Sequence, residues 1–389
     1  MAPLGPFGPV PRLAVGVSGG PHSLALALLA AEFAHAAGGD AMGLVVDHGL
    51  RAESAAEAAW TLRCLAEQGI PAERITLCLA PGAAMQERAR AARLDALLRC
   101  CASLGRPWLL LGHHRADQAE TVLFRALRGS GPGGLAGMAP LRASGPALIL
   151  RPLLPIPPAR LEALLAARGL CPLRDPSNED FRFSRVRLRH ALGDAGGEGP
   201  QVAALAAAAR AFAGRRAIRG RQKAERLAAA ASIMPEGWAR LDAAALGQDD
   251  LAAEALAALI RLVAGAEHAA PSEAVRAMLC RGGGTLGGAL WQGQVLCREP
   301  AACASAVPAL PGQVWDGRWR VAGAVAPGLM LGALGPAAAA LPRKLRRGLP
   351  ARVLAGLPAF WRDGTLAGVP ALEGGPGLLF DPARGALPA

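Results

Sequence analysis

The sequence predicts an α/β protein: a doubly wound parallel sheet in its first half, then a helical segment and a small C-terminal α+β module. Three observations carry this. Short apolar runs of strand length alternate with longer helical runs up to about residue 128, the order that builds a parallel sheet covered on both faces. A Gly-rich stretch, Gly193 to Pro200, reads as a linker before an Ala- and Arg-rich helical run. Beyond Gly282, Gly and Pro punctuate short β-like pieces.

In order, Leu13 to Val17, Ala41 to Val46, Ile75 to Leu79 and Trp108 to Gly112 read as buried strands, and His22 to Ala37, Glu53 to Gln68 and Ala84 to Leu104 as the helices between them. A proline-dense loop region from Gly129 to Pro158 precedes a helix that Gly169 would end. Helices follow at Ala203 to Ala231 and Asp249 to Ala264, then β-like pieces such as Ala289 to Arg298 and Gln313 to Val321. The expected division is 1–192, 193–281 and 282–389, with no internal repeat.

Composition narrows the function. The 389 residues are 52% hydrophobic with a formal charge of +12, enough for several cores and suited to a polyanionic partner. That charge is almost all Arg, with Lys only at 223 and 344 and no Tyr, a skew that a GC-rich coding sequence would also produce. The eight cysteines form no CxxC pair and read as reduced thiols, not a disulfide framework or zinc site. No export signal precedes Leu13, so a cytoplasmic protein is expected. Val321 to Leu341 lacks charge over a length that could span a bilayer, but Pro327, Pro336 and its glycines make a poor membrane helix, and no membrane partner is expected.

The chemistry concentrates at strand ends. After the first strand come Ser18, Gly19, Gly20, Pro21, His22 and Ser23, then an apolar helix. Two glycines allow a sharp turn with successive amides facing one way, and the hydroxyls add donors at a positive helix end, which suits a pyrophosphate. A tight turn that merely needs glycine is the alternative, and the absence of GK[ST] excludes a Walker loop. Asp47 and His48 close the second strand, beside that loop if the sheet is parallel. The fourth strand ends in His113 and His114. A helix from Arg115 would place Asp117 and Glu120 on one face, able to hold Mg²⁺ through water, or zinc with His113, or simply to complement the helix dipole. Arg125 and Arg128 follow. Later, Arg182, Arg185, Arg187 and Arg189 interleave with Phe181 and Phe183, a pattern for RNA phosphates and bases or for a solvated face. An extended backbone would align Arg185, Arg187 and Arg189, whereas a helix would spread them. Arg343, Lys344, Arg346 and Arg347 form a second basic cluster.

Taken in order, SGGPHS (18–23), VDHGLR (46–51), HHRADQAET (113–121), RGSGPGGLAGM (128–138), RPLL (151–154) and DPSNEDFRFSRVRLR (175–189) resemble the PP-loop family of N-type ATP pyrophosphatases, and within it the tRNA(Ile)-lysidine synthetases. GGTLGGALW, WDGRW and LPAFWRDG are less specific likenesses in the second half. The resemblance implies ATP and Mg²⁺ as cofactors, with an isoleucine tRNA bearing a CAU anticodon and free lysine as substrates. Residues 18–23, with Asp47 and His48, would hold ATP. Asp117 would face the metal, and Asp117, Glu120, Arg125 and Arg128 would serve the chemistry. Arg90, Arg93, Arg182, Arg185, Arg187 and Arg189 would contact tRNA. The wobble cytidine would be adenylated and then take lysine at C2, changing the codon read from AUG to AUA. A homodimer is compatible with the sequence but not required by it. This chain departs from the family pattern at His22 and Ala116, where an Asp is usual, and at Leu94, where an aromatic is frequent. A noncatalytic tRNA-binding relative and a tRNA thiolation enzyme are the alternatives, the second disfavoured by the lack of cysteine pairs.

Overall fold

The computed structural model describes residues 1–49, 53–77, 85–145, 147–174, 181–182, 184–373 and 377–382. They cluster in two compact units, Met1–Arg216 and Ala217–Ala389.

The first unit is the expected α/β layer structure. Its elements are β1 (Arg12–Val17), α1 (Pro21–Ala36), β2 (Asp40–Asp47), α2 (Ser54–Glu67), β3 (Ala72–Thr76), α3 (Met85–Ser103), β4 (Trp108–Leu111), α4 (Arg115–Leu127), α5 (Pro132–Leu135), β5 (Leu141–Ala143), β6 (Leu148–Leu150), α6 (Pro158–Ala167) and α7 (Ser184–Leu192). Helix α8 (Pro200–Ala230) continues into the second unit. The sheet order is β3-β2-β1-β4-β6-β5, parallel except for the edge strand β5.

All of β1 except Arg12 is buried, because the sheet is covered on both sides. Leu13, Val15 and Val17 face a core with Leu24, Leu26 and Leu28 of α1 and Leu161 and Leu165 of α6. The intervening Ala14 faces the other core, with Leu44, Leu97, Cys101, Leu109 and Ile149. The period of two sends alternate side chains of one strand into separate cores, each buried Leu or Val contributing about 1.5–3 kcal/mol. The order 3-2-1-4 reverses direction between β1 and β4, so the carboxyl ends of these two strands border the crevice where such sheets bind ligands.

The second unit pairs β7 (Ala231–Ile233), β8 (Ala239–Leu241), β9 (Gly283–Leu286), β10 (Ala289–Gln292) and β11 (Val295–Arg298) in an antiparallel sheet of order β7-β8-β11-β10-β9, which joins strands on either side of residue 282. After the short α9 (Ala243–Leu246), helix α10 (Asp250–Ala264) is capped by Asp249 through the Ala252 amide and ended by left-handed Gly265. Its Leu256, Leu259, Ile260 and Val263 share a core with Met278 of α11 (Ser272–Arg281), Trp291 and Leu296. Further on, β12 (Val307–Pro308), β15 (Met330–Ala333), β16 (Pro358–Arg362) and β17 (Thr365–Gly368) form one sheet, and β13 (Val314–Trp315), β14 (Trp319–Val321) and β18 (Leu378–Phe380) another, with α12 (Ala351–Ala355) and α13 (Pro370–Glu373) between strands. Buried Asp316 pairs with both Arg298 and Arg318 at 2.7 Å. The charge-free stretch 321–341 holds β15 and a 3-10 turn, and among the described residues no helix is long and apolar enough to cross a membrane.

Candidate active site

The turn after β1 is built on Gly19. Its φ is +77°, and a Cβ there would lie 2.5 Å from Thr61 Oγ1 and 2.7 Å from Leu173 Cδ1, so only glycine fits. The Leu173 amide donates to the Gly19 carbonyl at 3.0 Å, closing the loop from outside. Within the turn, Ser23 Oγ accepts from the Ser18 amide (3.1 Å), lies 3.2 Å from Ser18 Oγ, and donates to the Gly20 carbonyl (3.0 Å). Gly20 is the N-cap of α1 and Pro21 its first residue, and no side chain caps this end. The first-turn amides are therefore left for an outside acceptor, at the positive end of the helix dipole.

Strand β4 delivers the facing residues. Gly112 abuts the His22 backbone, where a Cβ would meet it at 3.2 Å. His114 is the N-cap of α4: its amide donates to Asp117 Oδ2 at 3.0 Å, and its Nδ1 accepts weakly from the Asp117 amide at 3.5 Å. The His22 and His114 rings meet edge to face, centroids 4.0 Å apart. Among the described residues His22 Nε2 is buried without a hydrogen-bond partner, and it lies 3.9 Å from Glu162 Oε1, which belongs to α6. Burial lowers the His22 pKa to about 4, helped by His114, Arg189 and Arg174 and opposed by Asp117. Burial also lowers that of His114. Both imidazoles are neutral at pH 7.

The two acids of α4 have different surroundings. Glu120 is 2% exposed, and its Oε1 accepts from Arg189 Nε of α7 at 2.7 Å. Asp117 is more open and lies 3.9 Å from Arg189 Nη2. Burial acts to raise the Asp117 pKa, but His114, its donating amide, His113 and Arg189 outweigh it, so the carboxyl titrates below the usual range. Arg189 is itself held charged by these acids, against the burial that works the other way. Among the described residues no group of three or more His, Cys, Asp or Glu is arranged to hold a metal ion.

The loop after α4 is tied down from two directions. Gln118 clamps Met138 through its amide (2.8 Å) and its carbonyl (3.0 Å), and Arg125 Nη1 donates to the carbonyls of Gly134 (2.8 Å) and Gly137 (2.9 Å).

With this geometry in place, comparison with known proteins is specific. A PP-loop domain family matches residues 6–195. A tRNA(Ile)-lysidine synthase from Ruegeria pomeroyi is 34% identical over 93% of this chain and 89% of its own length. The chain belongs to the tRNA(Ile)-lysidine synthase family. Another member of this family, from Novosphingobium aromaticivorans, is 46% identical over 47% of the chain, a match that spans only 56% of that relative. A third, from a Methylobacterium species, is 41% identical over 62% of the chain and 71% of its own.

As a member of the lysidine synthase family, the chain brings Ser18 to Ser23, His113, His114, Asp117 and Glu120 to the switch point between β1 and β4. Several residues expected there have other work. Asp47 is buried and saturated: it accepts from Ser54 Oγ (2.6 Å), Arg74 Nη2 (2.5 Å) and the Gly49 amide (3.1 Å), and the Ser54 and Arg74 bonds hold its pKa low. It fixes the end of β2, which leaves His48 as the half-buried candidate beside it. Arg125 anchors its loop, and Arg128 lies exposed over the Phe124 ring at 4.9 Å. Arg189 points inward to the acids, not outward to RNA. Arg187 Nη1 donates to the Phe181 and Arg182 carbonyls, and Arg182 is exposed. Because α7 is helical, Arg187 and Arg189 diverge as a helix requires. The side chain of Arg185, together with residues 175–180 and Phe183, lies outside the described residues. On α3, Arg90 is exposed and Arg93 half-buried, its pKa lowered by burial and then by Arg90. Sequence reasoning missed Arg74, Gln118, Glu162 and Leu173, whose partners lie tens of residues away with no local pattern to announce them.

Proposed function

We propose that this chain is an ATP-dependent ligase that joins lysine to C2 of the wobble cytidine of an isoleucine tRNA with a CAU anticodon. The observation that carries the reading is the uncapped glycine turn at the switch point of a chain whose family match covers 93% of its length. In a first step, the ATP phosphates would rest on the first-turn amides of α1, and cytidine O2 would attack the α-phosphorus with loss of pyrophosphate. In a second, the lysine side-chain amine, its proton lost to water, would attack C2 and expel AMP.

The residues divide these tasks. Neutral His22, with its buried Nε2 lacking a partner, suits a hydrogen bond to a phosphate oxygen better than a charge contact. Asp117, ionised and less enclosed than Glu120, suits the lysine ammonium; its lowered pKa makes it a poor proton acceptor, so its part is binding. Glu120 holds Arg189 and thereby α7. Mg²⁺ prefers several oxygen ligands, whereas Asp117 is flanked here by two imidazoles and a guanidinium, a set that does not fit a resident Mg²⁺. A tRNA substrate would place the work in the cytoplasm.

The test is incorporation of labelled lysine into an unmodified CAU-anticodon isoleucine tRNA. ATP-dependent labelling that disappears when the wobble cytidine is replaced by uridine is the expected result. No labelling, from protein that binds the tRNA and beside an active control enzyme, would favour a noncatalytic tRNA-binding relative.

A further inference from the structure

His190 of α7 and Phe181 in the turn before it form a ring pair that the acid cluster does not use. Phe181 is 55% exposed and stands against the exposed His190, with centroids 4.4 Å apart and planes tilted by 39°. The backbone beneath Phe181 is fixed by Arg187 Nη1, which donates to the carbonyls of Phe181 (2.9 Å) and Arg182 (3.2 Å). Helix α7 contains no acidic residue. His190 directly follows Arg189, the residue bonded to Glu120, so its Cα is about 3.8 Å further along the chain. His190 therefore sits next to Arg189 on α7, and Phe181, in the turn before the helix, packs against it.

A flat ring held open to solvent, backed by an imidazole and flanked by Arg182 and Arg187, matches the chemistry of an unpaired nucleobase with its phosphates. An acidic peptide would use the arginines but has no need of the ring. An apolar peptide would need a groove, where Phe181 offers an isolated face.

We propose that Phe181 and His190 form a stacking platform for the base that follows the modified cytidine, positioning the anticodon over the acid cluster. This rests on the tRNA reading above. To test it, 2-aminopurine replaces the adenine of the CAU anticodon, and its emission is followed as the full-length protein is titrated in. The wild-type protein is expected to change the emission on binding. Phe181→Ala, and Phe181→Leu, which keeps apolar packing, are expected to lose that change and to bind tRNA roughly 10-fold more weakly, while Phe181→Trp restores both. The platform is overturned if Phe181→Leu, folded by circular dichroism, keeps the emission change and the affinity. It is also overturned if the wild-type protein lysidinylates this tRNA with no emission change. A wild-type protein that binds no tRNA at all would instead overturn the tRNA reading, and the platform with it.

Discussion

At the scale of single residues, the two loop glycines make opposite demands. Gly19 combines a left-handed backbone with contacts below van der Waals distance, whereas Gly20 has φ −71° and its nearest obstacle, Ser18 Oγ, at 3.6 Å. Gly19→Ala is expected to cost about 2–3 kcal/mol and to abolish ATP binding, since the turn must open to relieve Thr61 and Leu173. Gly20→Ala should stay within about 1 kcal/mol. Thermal melts with and without ATP separate the two; equal losses would show that the turn does not discriminate. His22 makes a pH prediction. Its folded pKa of about 4 lies below the ordinary 6.5, so the unfolded chain takes up the proton first. Its stabilising contribution is whole above about pH 6.5 and is lost as pH falls toward 4, on the order of 3 kcal/mol in all. Asp47 and Asp117, whose pKa values lie below the ordinary 3.8, lose theirs only under still more acidic conditions. His22→Gln should therefore flatten urea-derived stability between pH 6.5 and 4 relative to wild type, with His114 supplying the slope that remains. An unchanged slope would rule out His22 as its source.

At the scale of elements, Arg189 of α7 bonds Glu120 of α4 at 2.7 Å and lies 3.9 Å from Asp117. Removing Arg189 takes the cation 2.7 Å away from the charge of Glu120, which is 2% exposed, so Arg189→Ala should destabilise by about 3 kcal/mol and raise amide exchange across residues 184–192. Adding Glu120→Gln to that variant should recover part of the loss, because a neutral amide is cheaper to bury than a charge that has lost its cation. Additive losses would show that the two side chains are not coupled. The same pair marks how far the sequence could be read. The positions of β1, β2 and β4, the start of α4 near Arg115 and the loop at 18–23 were legible because local apolar runs and turn residues dictate them, whereas the strand read at Ile75 to Leu79 runs Ala72–Thr76. The charge pattern at 182–189 also showed that this segment mattered, but not which way its cations point. Arg189 turns inward because Glu120 lies buried across the α4–α7 contact, and a pairing between residues 69 positions apart leaves no periodic trace. Asp47 shows the same limit: nothing local announces that this strand-end carboxylate bonds Ser54 and Arg74.

At the scale of the whole molecule, the 42 Lys and Arg side chains overstate the cations that RNA can use. Arg74, Arg106, Arg168, Arg174, Arg276, Arg298, Arg318 and Arg320 all face carboxylates of their own unit. Helix α8 is the contrasting case: against Glu225 it carries Arg210, Arg215, Arg216, Arg219, Arg221, Lys223 and Arg226. Arg219 and Arg226 pair with Glu254 and Asp249, whereas Arg210, Arg215 and Arg221 are exposed. If tRNA is the partner, these exposed cations supply sequence-independent attraction, and each phosphate they neutralise adds close to one to the slope of log affinity against log salt. Converting Arg210, Arg215 and Arg221 together to Gln should lower tRNA affinity roughly 10-fold near 0.1 M salt and reduce that slope by about 2. The discrimination between CAU-anticodon tRNA and other tRNAs should be preserved, because phosphate contacts carry no sequence information. A triple variant with an unaltered salt slope would move the electrostatic footprint elsewhere, with the Arg343 to Arg347 cluster next to be tested.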